Sequence, residues 1–104
     1  MVGCGTIFTK YTGGGGKSST NDANPEFIAW LRAAMEKDGV VWQSAELGKV
    51  DAGGGGTVAK YISKHNIDTI DLGVPVLSMH APYEVIAKVD LYETYRACLA
   101  FYKY

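Results

Sequence analysis

Apolar residues recur along the chain at two spacings, and the switches between them mark its elements. From Thr6 to Tyr11 the β-formers Ile7, Phe8 and Tyr11 lie in a weakly alternating run that predicts a strand. Phe27, Ile28, Leu31 and Met35 then recur at helical spacing. Asn24 before Pro25 suits an N-cap followed by proline in the first turn, where its missing N–H costs nothing, and Gly39 supplies a stop. Val40 to Leu47 (VVWQSAEL) predicts a second strand. A shorter helix follows from Thr57 to about His65, with Val58, Tyr61 and Ile62 on one face. Asp68 to Ser78 holds Ile70, Leu72, Val74, Val76 and Leu77, a strand suited to burial on both faces, and Pro75 imposes a bulge or bend on it. The last helix is expected to begin at Asp90, which with Glu93 forms a variant of the capping box. Leu91, Tyr95, Cys98, Leu99 and Tyr102 form one stripe along it.

The order β-α-β-α-β-α predicts an α/β architecture, a sheet covered by helices. Three strands and three helices leave sheet edges and apolar faces that want more cover than 104 residues supply. Neighbours from further chain or from other subunits are expected. Between the elements lie two glycine-rich loops, Thr12–Asp22 and Gly48–Gly56. Their GGGG blocks have flanks too different to form a repeat.

Composition narrows the class. Hydrophobic residues make up 47% and charged residues 20%, a globular balance. A net charge of -1 with scattered basic residues gives no electrostatic reason to expect nucleic acid or an anionic membrane as partner. No apolar run approaches the roughly 20 residues of a membrane span. MVGCGTIF also lacks the charged and long apolar regions of a signal peptide. Cys4 and Cys98 form no CxxC pair, so the sequence predicts two buried thiols in a reducing, cytoplasmic setting.

Eight of the 13 glycines sit in the blocks 13–16 and 53–56, each between a predicted strand and a predicted helix. Free N–H groups at such junctions suit anions. The run GGGGKS nevertheless fails the phosphate-loop pattern, because Tyr11 stands where that pattern needs glycine. Counting a dinucleotide pattern from Gly53 puts Val58 in the place of its last glycine. Close backbone approach of a ligand before Thr57 and a tight turn both remain open readings of the second block.

Of the two histidines, His65 sits at a helix end, where an imidazole meets the dipole's carbonyl pole. His80 follows the buried apolar strand and precedes Ala81-Pro82, so it is expected at the strand's C-terminal tip, the edge where open α/β sheets bind ligands. A structural histidine is the other reading. Zinc wants three protein ligands even in a catalytic site, and the chain has no HxH, HxxxH or HxD spacing. Any metal bound by His80 takes its other ligands from elsewhere.

Five segments carry a resemblance: TKYTG (Thr9–Gly13), NDAN (Asn21–Asn24), WQSAELGKVDAGGGGTVAKY (Trp42–Tyr61), VPVLSMHAPYE (Val74–Glu84) and KVDLYETY (Lys88–Tyr95). In order and spacing they resemble the bacterial branch of the aspartyl aminopeptidase and vacuolar aminopeptidase I family of zinc metallopeptidases.

That resemblance implies a partial, three-layer zinc-exopeptidase-like catalytic domain, with residues 1–104 its C-terminal part. It implies two-metal zinc chemistry, with cobalt or manganese as substitutes, on peptide substrates in a homo-oligomer. By the same resemblance His80 is one metal ligand and Lys10 approaches bound substrate. Lys17 falls near a substrate-contacting tyrosine of eukaryotic members, and Gly55, Gly56 and Thr57 lie near the substrate pocket. The family's HxD motif, bridging aspartate, glutamate pair and further aspartate ligand lie upstream of the matched region, and none is in this chain. His80's other ring nitrogen needs an acceptor, and Glu84 is the candidate on proximity. The alternative function is an inactive truncated module that oligomerises or caps the full enzyme.

Overall fold

Side chains of the last helix, Asp90 and Glu93, accept the backbone N–H groups of Gly3, Gly5 and Val41. The computed structural model describes residues 1–12, 21–45 and 57–104. Strand β1 (Thr6–Thr9) is the middle of a three-stranded sheet ordered β4-β1-β5, with β4 at Trp42–Ala45 and β5 at Asp71–Gly73. Strands β2 (Tyr11–Thr12) and β3 (Asn21–Asp22) form a separate antiparallel ladder, pairing Tyr11 with Asp22 and Thr12 with Asn21. The helices are α1 (Pro25–Lys37), α2 (Ala59–Ser63) and α3 (Lys88–Lys103). The result is a mixed α/β sheet with helices, the class read from the sequence.

Helix α1 forms where its punctuation predicts. The Asn24 side chain accepts the N–H of Phe27 at 2.7 Å, satisfying one of the donors left free in a first turn. Gly39 at φ +64° ends it: its N–H reaches the carbonyl of Glu36, and the next N–H, from Val40, reaches that of Met35. This paired closure of the last carbonyls needs a left-handed residue.

Several expectations are corrected. The first strand stops at Thr9, and Tyr11 and Thr12 leave it to build β2, so the two ends of the expected Thr12–Asp22 loop pair with each other. The third strand is three residues, not eleven, because Pro75 has no N–H to give a ladder; Val74 and Val76 beyond it are half-buried. Helix α2 is five residues, with Thr57 and His65 both outside it. Cys4 is exposed and Cys98 half-buried, so neither is the buried thiol expected. Leu47 and both GGGG blocks lie outside the described residues.

The chain divides into two compact units. The first comprises Met1–Ile7, Trp30–Gln43 and Leu72–Tyr104. Its core holds Leu31, Ala34, Met35, Val40, Ala97 and Ala100, and Met35 is wholly enclosed. Full burial of a Leu or Met side chain contributes about 1.5–3 kcal/mol. Trp30 of α1 meets Phe101 of α3 and Tyr104, its C-cap, edge-on, at centroid distances of 5.6 and 5.2 Å.

Helix α3 corrects the sequence reading most. It starts two residues earlier than expected, with Ala87 as N-cap and no side-chain cap bond, so Asp90 lies in the first turn instead of capping it. Asp90 and Glu93 point inward: Asp90 is fully buried, and Glu93 is buried beside Ala97 and Ala100. The Asp90 carboxylate accepts the N–H of Gly3 at 2.7 Å and of Gly5 at 2.8 Å. Glu93 accepts the N–H of Val41 at 2.8 Å and pairs with Arg96 at 2.9 Å, while Arg96 donates to the carbonyl of Asp38 at 2.6 Å, just past the end of α1. Thr6 donates to the carbonyl of Gly73, and its hydroxyl lies 2.9 Å from that of Thr94. The stripe of Leu91, Tyr95, Leu99 and Tyr102 is exposed, with Tyr102 at 84%. The packed face of α3 instead carries Asp90 and Glu93 together with Ala97 and Ala100.

The second unit comprises Phe8–Ala29 and Ser44–Asp71. Among the described residues, Phe8, Ala23 and Ala59 are its buried apolar residues and Thr9 is buried and polar. Asn24 also donates from its amide to Asp68 at 2.8 Å, tying the start of α1 to the segment after α2.

Candidate functional site

Lys10 follows β1 directly and faces solvent. Its ammonium lies 3.0 Å from the Asp22 carboxylate, and both side chains are more than half exposed. An exposed pair contributes about 0–1 kcal/mol, so it joins the amine to a residue of β3 without adding much stability. The ladder itself sets this geometry, since the N–H of Ala23 bonds the carbonyl of Lys10 at 2.9 Å. Asp22 went unnoticed in the sequence, although it sits inside the NDAN segment.

Thr57 lies just ahead of α2, where its hydroxyl donates to Asp71 at 2.7 Å. Asp71 opens β5, so this bond fixes the start of the helix against the start of the strand within one unit. Lys10 and Thr57 thus belong to the same compact unit. Lys17, Gly55 and Gly56 lie outside the described residues. A cleft of about 170 Å³ also opens in this unit, lined by polar residues that include Asp22, Asn24, Asn66 and Asp68.

His80 belongs to the other unit. It does not stand at a strand tip, because β5 ends seven residues earlier at Gly73. It sits in a loop closed at its base by an antiparallel bridge, in which Leu77 and Val85 exchange both N–H bonds, at 2.9 and 3.2 Å. Inside the loop Ala81 bonds back to the carbonyl of Ser78 at 3.0 Å, making a turn with Met79 and His80 at its centre. Ser78 has φ +59° and His80 φ +67°. His80 occupies the third position of the turn, which glycine commonly takes when φ is positive there. A left-handed non-glycine residue costs about 1 kcal/mol or more and persists only where its surroundings impose it.

Glu84 supplies part of that imposition. Its carboxylate accepts the backbone N–H of His80 at 2.6 Å, not a ring N–H as proximity had suggested. The imidazole itself is exposed. An accessible imidazole fits a role as one ligand of a metal ion, since it has a lone pair to give and no core to leave. Among the described residues no group of three or more His, Cys, Asp or Glu side chains could hold a metal together. What the described residues present fits a single contributed ligand.

The mixed α/β fold with one accessible imidazole on a built loop finds close likenesses. The profile of a family described as Aminopeptidase I zinc metalloprotease (M18) matches residues 1–102. A probable M18 family aminopeptidase 1 of Clostridium acetobutylicum is 54% identical over 100 residues, covering 96% of this chain and 22% of that protein. Its counterpart from Thermotoga maritima is 52% identical over 96 residues, covering 92% of this chain and 21% of the relative. The crystal structures agree. An M18 aminopeptidase from Thermotoga maritima superposes with a TM-score of 0.87 at 50% identity, over 95% of this chain and 22% of that one. Aminopeptidase I from Clostridium acetobutylicum also gives 0.87, at 54% identity over 96% and 22%.

The class is that of the zinc metallopeptidases, and the chain belongs to the M18 aminopeptidase family. It spans about a fifth of the length of the relatives it matches, at 22% and 21%. No helix among the described residues is long and apolar enough to cross a membrane.

Proposed function

We propose that this chain is the C-terminal part of a zinc-dependent aminopeptidase catalytic domain, to which it contributes one metal ligand, His80, and part of the substrate pocket. The reading is carried by one observation: His80 is exposed on a loop whose backbone is held in an uncommon conformation. Membership of a family described as zinc metalloproteases supports the choice of metal.

A bound pair of zinc ions, with cobalt or manganese as substitutes, supplies Lewis acidity and a water ionised near neutral pH. The residues of this chain then bind and orient. His80 would hold one of the metal ions through a ring nitrogen. Lys10 hydrogen-bonds to the peptide substrate at the oxygen that gains negative charge, a role worth a few kcal/mol when the donor is preorganised. Asp22, 3.0 Å from the lysine ammonium, restrains where that donor rests. Thr57 anchors the helix start that follows the second glycine block through its bond to Asp71. In this reading Lys17, Gly55 and Gly56 are assigned to the substrate pocket by the family resemblance alone, and the general base would belong to the rest of the enzyme.

The partners in this reading are a peptide substrate, the remainder of the catalytic domain and further copies in a homo-oligomer, without nucleic acid or membrane. Support comes from α3, whose Leu91, Tyr92, Tyr95 and Tyr102 are all more than half exposed, an apolar face larger than single scattered residues. A reducing cytoplasmic setting fits the two free cysteines.

The test is complementation. Mixed with a family member truncated to lack the matching segment, and supplied with zinc, the chain restores aminopeptidase activity and bound zinc. His80→Ala removes most of both. Full zinc binding by His80→Ala overturns the ligand assignment. A well-folded oligomer that restores nothing supports the inactive interaction module instead.

A further inference from the structure

The loop that carries His80 has no core of its own. Every residue from Leu77 to Ile86 is exposed, including Leu77 at 54%, Met79 at 52% and Tyr83 at 87%. Side-chain packing therefore cannot be what keeps Ser78 and His80 at positive φ. Hydrogen bonds must do it, and few are available. The Leu77–Val85 bridge closes the base, and the Ala81 to Ser78 bond closes the turn. Neither engages the N–H of His80, which this exposed turn would otherwise leave to water. Glu84 accepts it at 2.6 Å, a short bond in which one partner is a carboxylate.

We propose that Glu84 is a positioning residue: by holding the backbone N–H of His80 it fixes the left-handed conformation from which the imidazole is presented to the metal. The metal half of this statement rests on the reading of His80 as a zinc ligand; the backbone half stands on the loop geometry alone. Chain order supports the geometry. Only three residues lie between the two positions, and Pro82 among them limits the backbone to few paths, so the carboxylate returns to the turn at little entropic cost. Outer partners of metal ligands commonly act through the ring. Here the hold is on the main chain.

Two measurements on three variants test it. In the 104-residue chain itself, NMR reads the short amide-to-Hα distance within His80 that positive φ produces. Wild type and Glu84→Gln, which keeps a carbonyl acceptor, should show it; Glu84→Ala should lose it, with an unchanged urea midpoint. In the complemented enzyme, equilibrium dialysis against zinc should show Glu84→Ala binding roughly tenfold more weakly, the scale typical of lost outer-shell support, and Glu84→Gln close to wild type. An unaltered His80 conformation in Glu84→Ala overturns the clamp, as does unaltered zinc affinity alongside a loss in His80→Ala. Should His80→Ala itself bind zinc normally, the ligand reading fails, and the NMR result still decides the backbone hold.

Discussion

The buried carboxylate of Asp90 accepts the N–H of Gly5 at 2.8 Å, a bond that spans 85 positions of sequence. A second bond, to Gly3 at 2.7 Å, makes Asp90 the anchor of the N-terminal segment. Hydrogen bonds to a charged acceptor are worth about 1.5–3 kcal/mol each, less whatever water recovers when they are lost. Asp90→Ala should therefore destabilise the chain by about 3 kcal/mol, read as a lower urea midpoint. Asp90→Asn keeps one acceptor and should lose less.

Gly5 and Gly39 both have positive φ, and alanine should separate their roles. At Gly5, with φ +96°, an added Cβ would fall on the carbonyl of Val41. At Gly39, with φ +64°, the nearest atom to a Cβ is the tip of Arg96 at 3.8 Å. Gly39→Ala thus carries only the conformational penalty, about 1 kcal/mol. Gly5→Ala should cost at least twice that or prevent folding. Thermal melts of the two variants make the comparison, and equal costs would show that β1 can move away from Val41.

Asn24 has two bonds of different kinds, one from the Phe27 N–H and one to Asp68. Asn24→Ala should cost about 1 kcal/mol through the lost cap. Asn24→Ser keeps an acceptor for Phe27 and gives up Asp68, so most of that stability should remain. Denaturant unfolding reads both variants.

The outer face of α3 should be dispensable to the isolated chain. Tyr95 and Tyr102 are 58% and 84% exposed, so replacing both by lysine should change unfolding by about 0.5 kcal/mol or less. The same pair should abolish self-association in sedimentation and block complementation. A large loss of stability would mean that this face is already packed within the chain.

How much of this was legible in the sequence depends on where each element's information lies. Helix α1 was readable because Asn24, Pro25 and Gly39 act within a few residues of themselves. The orientation of α3 was not, because the partners of Asp90 and Glu93 lie 85 and 52 positions away. Without them, acids in a first turn read as caps and tyrosines read as core. Strand length failed at Pro75 for a related reason: apolar content signals burial, while a ladder also needs donors. Around His80 the LSMH and HAPYE residues carried the resemblance, but positive φ at Ser78 and His80 leaves no mark in residue type, since neither is glycine. Sequence nearness marks Glu84 but does not show that it serves the main-chain N–H and not the ring.

The grip of α3 on residues 3–6 also sets an order of events during synthesis. Ribosomes add about 5–20 residues per second, so Gly5 waits on the order of ten seconds before Asp90 exists to receive its amide. Through that interval β1 can associate but its entry cannot lock, and its free N–H groups are open to strangers. Residues 3–6 then stay open to mispairing until Asp90 and Thr94 have been made and can close on them.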